Sequence, residues 1–174
     1  LIIGSGFGLY GYLPGIFHVS KKIYLNQRYK KFFSTRSELE KYSKKIIWYL
    51  DQHKIIDNID YIVVAKRPQE QSKIIKKILE KKNNLKHIFL EKPIDINPKK
   101  SISFLNYLKK KKINYSFGFI FKYLRWYKSM KIKLTKNQNF EIIWQIDKKQ
   151  KNNDHWKYSL TQGGGLVKFY GIHF

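Results

Sequence analysis

A glycine-rich turn, Gly4-Ser5-Gly6-Phe7-Gly8, set directly behind the apolar run Leu1-Ile2-Ile3, constrains this chain more than any other feature. The apolar run reads as a buried strand, and Leu9 to Phe17 reads as the helix after the turn. A strand, a glycine turn and a helix in succession aim backbone N–H groups and a helix N-terminus at a bound pyrophosphate. Gly4 allows the tight turn, and Gly6 lets the backbone approach the phosphates. The third fingerprint position, three residues after Gly6, holds Leu9, while Gly8 stands one place earlier. No Lys-Ser/Thr pair follows, so the turn is not a phosphate loop of that type.

Strand and helix patterns alternate through the rest of the chain. Ile23-Tyr24-Leu25 reads as a second strand. Thr35-Arg36-Ser37-Glu38 has the form of a capping box and is expected to open a helix running to about Tyr49. Tyr61 to Ala65 is a third strand, with the continuous apolar character of a parallel one. Pro68 starts a helix through about Lys82, with Ile74, Ile75, Ile78 and Leu79 on one face. His87 to Leu90 is a fourth strand. Asn97-Pro98 caps a helix that ends in lysines, and Ile113 to Phe119 is a fifth strand. The expected class is α/β, a Rossmann-type doubly wound parallel sheet over residues 1–120. The pattern changes after about Phe121. Residues 121–174 are expected to begin a mainly antiparallel α+β domain, with Phe140 to Ile146 as its first strand.

In an open α/β sheet, ligands bind at the carboxyl ends of the strands. Glu91-Lys92-Pro93 stands at that end of the fourth strand. A lysine held by a following proline there can exchange a proton with a substrate oxygen. The competing reading is a surface lysine in a strand-to-loop turn, and the upstream glycine turn weighs against it. The end of the second strand addresses a dinucleotide ribose, and an acid there would bind the 2′-hydroxyl of NAD. This chain has Asn26-Gln27-Arg28 and no acid before Glu38. An arginine binds a 2′-phosphate through charge-assisted bonds, so NADP is favoured over NAD. The alternative is that Arg28 is one of many surface cations.

Composition excludes several classes. With no cysteine, the chain has no disulfide or thiolate metal site, and a reducing, cytoplasmic setting is compatible. His18, His53, His87 and His155 show no metal-ligand spacing, so no metal is expected. No apolar run reaches the roughly 18 residues of a membrane span. The opening segment lacks the basic stretch of a signal peptide. The chain starts at Leu1 and stops at Phe174, both inside apolar patterns, so a fragment without turnover of its own is expected. Lys plus Arg number 36 against 12 Asp plus Glu, a net charge of +24. The lysines are spread along the chain among Asn, Ile and Tyr, which share AT-rich codons. A solvated basic surface with weak, salt-sensitive adhesion to polyanions is expected, rather than a specific nucleic-acid site.

In order along the chain, the quoted motifs resemble those of the glucose–fructose oxidoreductase/inositol dehydrogenase (Gfo/Idh/MocA) family. The likeness runs through Gly4 to Gly8 with Leu13-Pro14, through Val63-Val64-Ala65 with Pro68, and through Glu91-Lys92-Pro93. It continues through Phe117-Gly118-Phe119 to Trp156, Gly163-Gly164-Gly165 and Gly171-Ile172-His173. The resemblance implies an NAD(P)-dependent oxidoreductase of a sugar, nucleotide sugar or cyclitol, forming a homo-oligomer when full length. It implies catalytic roles for Lys92 and His173, and cofactor contacts from Gly4, Gly6, Phe7, Gly8, Asn26, Arg28, Ala65, Glu91 and Lys92. The chain departs from the family pattern at Phe169, where many members have aspartate, and at Gln71, where many have histidine. Lys66-Arg67 replace the usual small or proline residues. A noncatalytic Rossmann module that binds a nucleotide is the reading from another class.

Overall fold

The computed structural model describes residues 1–82, 85–133, 141, 143, 145 and 156–171. The chain separates into two compact units, Leu1–Gly118 and Phe119–Phe174.

The first unit is a six-stranded, wholly parallel sheet. Its strands are β1 (Ile2–Ile3), β2 (Ile23–Asn26), β3 (Ile46–Tyr49), β4 (Tyr61–Val64), β5 (His87–Leu90) and β6 (Tyr115–Phe117). The helices are α1 (Leu13–Phe17), α2 (Lys30–Ser34), α3 (Ser37–Glu40), α4 (Pro68–Lys81) and α5 (Pro98–Lys110). A wider, π-wound turn, Gly8–Tyr12, leads into α1. The spatial order is β3-β2-β1-β4-β5-β6, which reverses direction between β1 and β4. That reversal opens a crevice at the carboxyl ends of β1 and β4, the ligand position of a doubly wound sheet.

Both faces of the sheet are buried, which explains why its strands lack polar alternation. Ile2, Ile23, Leu25 and Val63 pack with Leu9, Leu13 and Phe17 on one side. Ile3, Ile62, Val64, Ile88 and Leu90 pack on the other with Ile75, Ile78 and Leu79 of α4 and with Phe104 and Leu108 of α5. Two helix ends are closed by side chains. Asn97 Oδ1 accepts from Lys99 N at 2.9 Å and caps α5. Lys45 Nζ donates to the carbonyls of Phe17 at 2.7 Å and Ser20 at 2.9 Å, beyond the last turn of α1.

The expected helix from Thr35 to Tyr49 does not form. It yields one turn, α3, and then the strand β3, so the sheet has six strands rather than five. The Thr35 hydroxyl turns back and donates to the carbonyl of Lys31 at 2.9 Å, and the single turn α3 has Arg36 as its N-cap, with no side-chain cap bond. Ile46-Ile47-Trp48-Tyr49 is β-branched and aromatic, and all four residues pair with β2 in register. The fifth expected strand, Ile113 to Phe119, is narrower and becomes β6.

In the second unit, a tight 3-10 turn, Ile120–Tyr123, precedes α6 (Arg125–Lys133). Further on, Gly164 N donates to Ser159 O at 2.8 Å and Gly165 N to Lys157 O at 2.7 Å. Gly163 and Gly165 have φ of 85° and 90°, the left-handed region that glycine enters freely. The stretch Phe140 to Ile146 falls for the most part outside the described residues.

Candidate functional site

Three chain segments meet at the crevice. The first is the glycine turn after β1. At Gly4, φ is 131°, and a Cβ there would drive into the Ala65 carbonyl at the end of β4. Gly4 therefore lets β1 and β4 close together where the sheet order reverses. A Cβ on Gly6 would meet no atom within 4 Å. Packing does not require a glycine at that position, whereas a ligand drawn against the backbone does. A Cβ on Gly8 would sit 3.1 Å from Ile2 and 3.4 Å from Ala65, so this glycine seats the first helical turn on the sheet. Leu9, at the third fingerprint position, is fully buried. Leu9 N and Tyr10 N both donate to Gly6 O, at 3.0 and 3.3 Å, starting the helical segment at the turn. Phe7 is 45% exposed, and its ring meets Tyr12 edge-on with centroids 5.5 Å apart.

The second segment follows β2. Asn26 Oδ1 accepts from Arg28 N at 3.1 Å and shapes the bend. Arg28 is exposed. Its Nη2 donates to the Tyr29 hydroxyl at 3.3 Å, and that same hydroxyl accepts from Gly4 N at 2.9 Å. The buried Tyr29 thus joins the end of β2 to the glycine turn. The hydrogen bond to Tyr29 holds Arg28 above its ordinary pKa. Tyr49, at the end of β3, is pushed up to about 12, mainly by burial.

The third segment is Glu91-Lys92-Pro93 behind β5. The Lys92–Pro93 peptide is cis. Glu91 N donates to Val64 O at 3.3 Å, tying the segment to the end of β4. Burial pushes the Glu91 carboxyl above its ordinary pKa, against the opposing effects of a Tyr12 hydrogen bond and of Lys92. Its Oε1 is buried without a hydrogen-bond partner. The Tyr12 phenol beside it is also raised, by burial first and then by the carboxylate. Gly118, after β6, leaves room for both. A Cβ there would lie 2.5 Å from Glu91 Oε1 and 2.7 Å from the Tyr12 hydroxyl.

The structure therefore gathers Gly4, Gly6, Phe7, Gly8, Asn26, Arg28, Ala65, Glu91 and Lys92 around the carboxyl ends of neighbouring parallel strands. His173 lies outside the described residues. Tyr12 and Tyr29 were not singled out from sequence. Tyr29 carried one usable signal, an aromatic hydroxyl directly after the arginine that follows β2. Among the described residues, no group of three or more His, Asp or Glu is placed to hold a metal.

Residues 1–119 match the model of the Gfo/Idh/MocA family, described as an oxidoreductase family with an NAD-binding Rossmann fold. No curated protein sequence matches the chain. Solved structures do. An NAD-binding protein from Listeria innocua is 15% identical, with a TM-score of 0.65, over 99% of this chain and 51% of its own length. A dehydrogenase from Clostridium difficile is 19% identical, with a TM-score of 0.60, over 77% of this chain and 43% of its own. The UDP-N-acetylglucosamine 3-dehydrogenase of Acidithiobacillus ferrooxidans is 10% identical, with a TM-score of 0.57, over 75% of this chain and 41% of its own. The chain thus spans about half the length, or less, of each of these structures.

Proposed function

Because the chain belongs to the Gfo/Idh/MocA oxidoreductase family, we propose that it serves an NAD(P)-dependent oxidation or reduction of a sugar, nucleotide sugar or cyclitol. The observation that carries this reading is the meeting of the glycine turn with Glu91-Lys92-Pro93 across β1, β4 and β5. The open space at Gly6 fits a dinucleotide, because it leaves backbone N–H groups approachable where packing needs no glycine. Gly4, Gly6, Phe7 and Gly8 would hold the pyrophosphate, and Asn26 and Arg28 the ribose end. Bound dinucleotide supplies the acceptor or donor of hydride. The chain's own part is to move the proton of the substrate oxygen, and Lys92 is assigned that role. His173 is assigned as the second acid/base group on that oxygen. Arg28 favours NADP, because its guanidinium offers charge-assisted bonds to a 2′-phosphate.

Fluorescence titration with NADPH and NADH tests the cofactor assignment. NADPH is expected to bind more tightly, and Arg28→Ala to shrink the difference. Tighter binding of NADH to the parent chain would overturn the NADP preference. Turnover on nucleotide sugars and cyclitols then separates an oxidoreductase from a noncatalytic nucleotide-binding module, which would bind dinucleotide without turnover. Where turnover is found, Lys92→Ala is expected to lower kcat by about 10²–10⁴-fold with dinucleotide affinity largely kept.

A further inference from the structure

A single buried side chain grips the Glu91-Lys92-Pro93 segment from behind. Gln71, in the first turns of α4, is fully buried. Its amide is engaged with this one segment. Nε2 donates to Glu91 O at 2.9 Å and to Pro93 O at 3.0 Å, while Oε1 accepts from Glu91 N at 3.0 Å. The amide orientation follows from its partners, because only oxygen can face the Glu91 N–H and only nitrogen can face two carbonyls. The Glu91–Lys92 peptide and, one residue beyond the lysine, the Pro93 carbonyl are thereby fixed to one planar group. That group is anchored in turn by α4, whose Ile75, Ile78 and Leu79 are buried in the core. An apolar side chain of similar volume would fill the space equally well. What it would not do is hold the backbone flanking the lysine.

We propose that Gln71 is the positioning residue for Lys92: its three hydrogen bonds set where the lysine leaves the backbone at the mouth of the crevice. This rests on the assignment of Lys92 to proton transfer above. Proton-transfer groups work only when held to within about half an ångström. A clamp on the backbone before and after Lys92 meets that demand at the point where the side chain begins.

The test is competitive acylation of the whole chain with acetic anhydride. The rate at Lys92 is read by mass spectrometry against Lys86, an exposed lysine before β5. Gln71→Leu removes all three bonds at similar volume. Gln71→His keeps one ring N–H and one ring acceptor. The Lys92 rate relative to Lys86 is expected to change about tenfold in Gln71→Leu, the scale of a small misplacement. It is expected to stay close to the parent value in Gln71→His. In Gln71→Leu, NADPH is expected still to bind through the glycine turn but to lose its protection of Lys92 against acylation. An unchanged relative rate in folded Gln71→Leu overturns the assignment. Where Gln71→Leu does not fold, Gln71→Asn replaces it, since its shorter amide cannot reach the segment. The same change is then expected, and an unchanged rate is again fatal. Failure of the dinucleotide reading shows separately, as absence of saturable NADPH binding to the parent chain.

Discussion

At Glu91, burial and ionisation oppose each other. Its carboxyl is held above the ordinary carboxylate range chiefly by burial, and Oε1 has no partner. The folded chain therefore holds this proton more tightly than the unfolded chain does. Stability from this group is present below the unfolded pKa and is lost as pH rises through the raised folded value. Glu91→Gln, which cannot ionise, is expected to raise Tm near about pH 8 and to lose that advantage near about pH 4. Melts followed by circular dichroism across that range check the trend, and a variant less stable at the upper end contradicts it. Gly4 makes a second, sharper claim. Gly4→Ala adds a methyl group against the Ala65 carbonyl at a φ unsuited to alanine. A loss of more than about 3 kcal/mol is expected, since overpacking and backbone strain add. Both sites were marked by residue type alone, because glycine spacing and Glu-Lys-Pro survive as local patterns. Tyr12 and Tyr29 were not, because their importance lies in contacts across 78 and 25 residues of chain. Gln71 lay between. It shares a helix face with Ile75 and Ile78, and a polar residue on an apolar face implies a buried partner, though not which one.

The elements were legible where pattern and capping agreed. At α5 the asparagine, the proline after it and the terminal lysines all point the same way, and the helix runs Pro98–Lys110. At Thr35 the same kind of reasoning misled. A capping box needs its hydroxyl to accept from the helix, but here the hydroxyl's bonds run backwards to Lys31 and Phe32 and the N-cap is Arg36, with no side-chain cap bond. What decided the segment was the fit of Ile46 to Tyr49 against β2, a long-range pairing that outweighs a local signal. The two caps give a paired prediction. Asn97→Ala removes a formed cap and is expected to cost about 1 kcal/mol. Thr35→Ala removes only exposed back-bonds and is expected to stay within about 0.5 kcal/mol of the parent. Chemical denaturation of both variants checks the difference, and equal losses would mean that Thr35 caps a helix after all.

Across the whole molecule, charge sets the conditions under which any of these experiments reads cleanly. Even if each of the 12 acids neutralised one of the 36 cations, 24 positive charges would remain. Ion pairs such as Lys86–Asp60 at 3.1 Å stand on the surface and contribute little. Other cations rest on aromatic faces, as Lys45 does over Phe17 at 4.8 Å and Arg36 over Tyr10 at 4.6 Å. Such contacts place the stems but do not remove the charge. A compact chain in this state repels itself, and the repulsion is screened once the Debye length falls to about 10 Å, near 0.1 M salt. Tm is therefore expected to rise as sodium chloride increases from about 20 mM to about 300 mM, the opposite of a fold held by surface ion pairs. The same spread of lysines predicts binding to duplex DNA or heparin that is measurable at low salt and gone by about 200 mM, because counterion release supplies all of it. Dinucleotide bound in a built crevice behaves differently. At a hundredfold excess over its dissociation constant it adds about 2.7 kcal/mol of stability at whatever salt that constant is measured. Thermal melts in a salt series, with and without NADPH and with DNA as competitor, separate the two kinds of anion. DNA binding that survives the higher salt, or a Tm that falls with salt, would mean that the lysines form an organised surface rather than a solvated one.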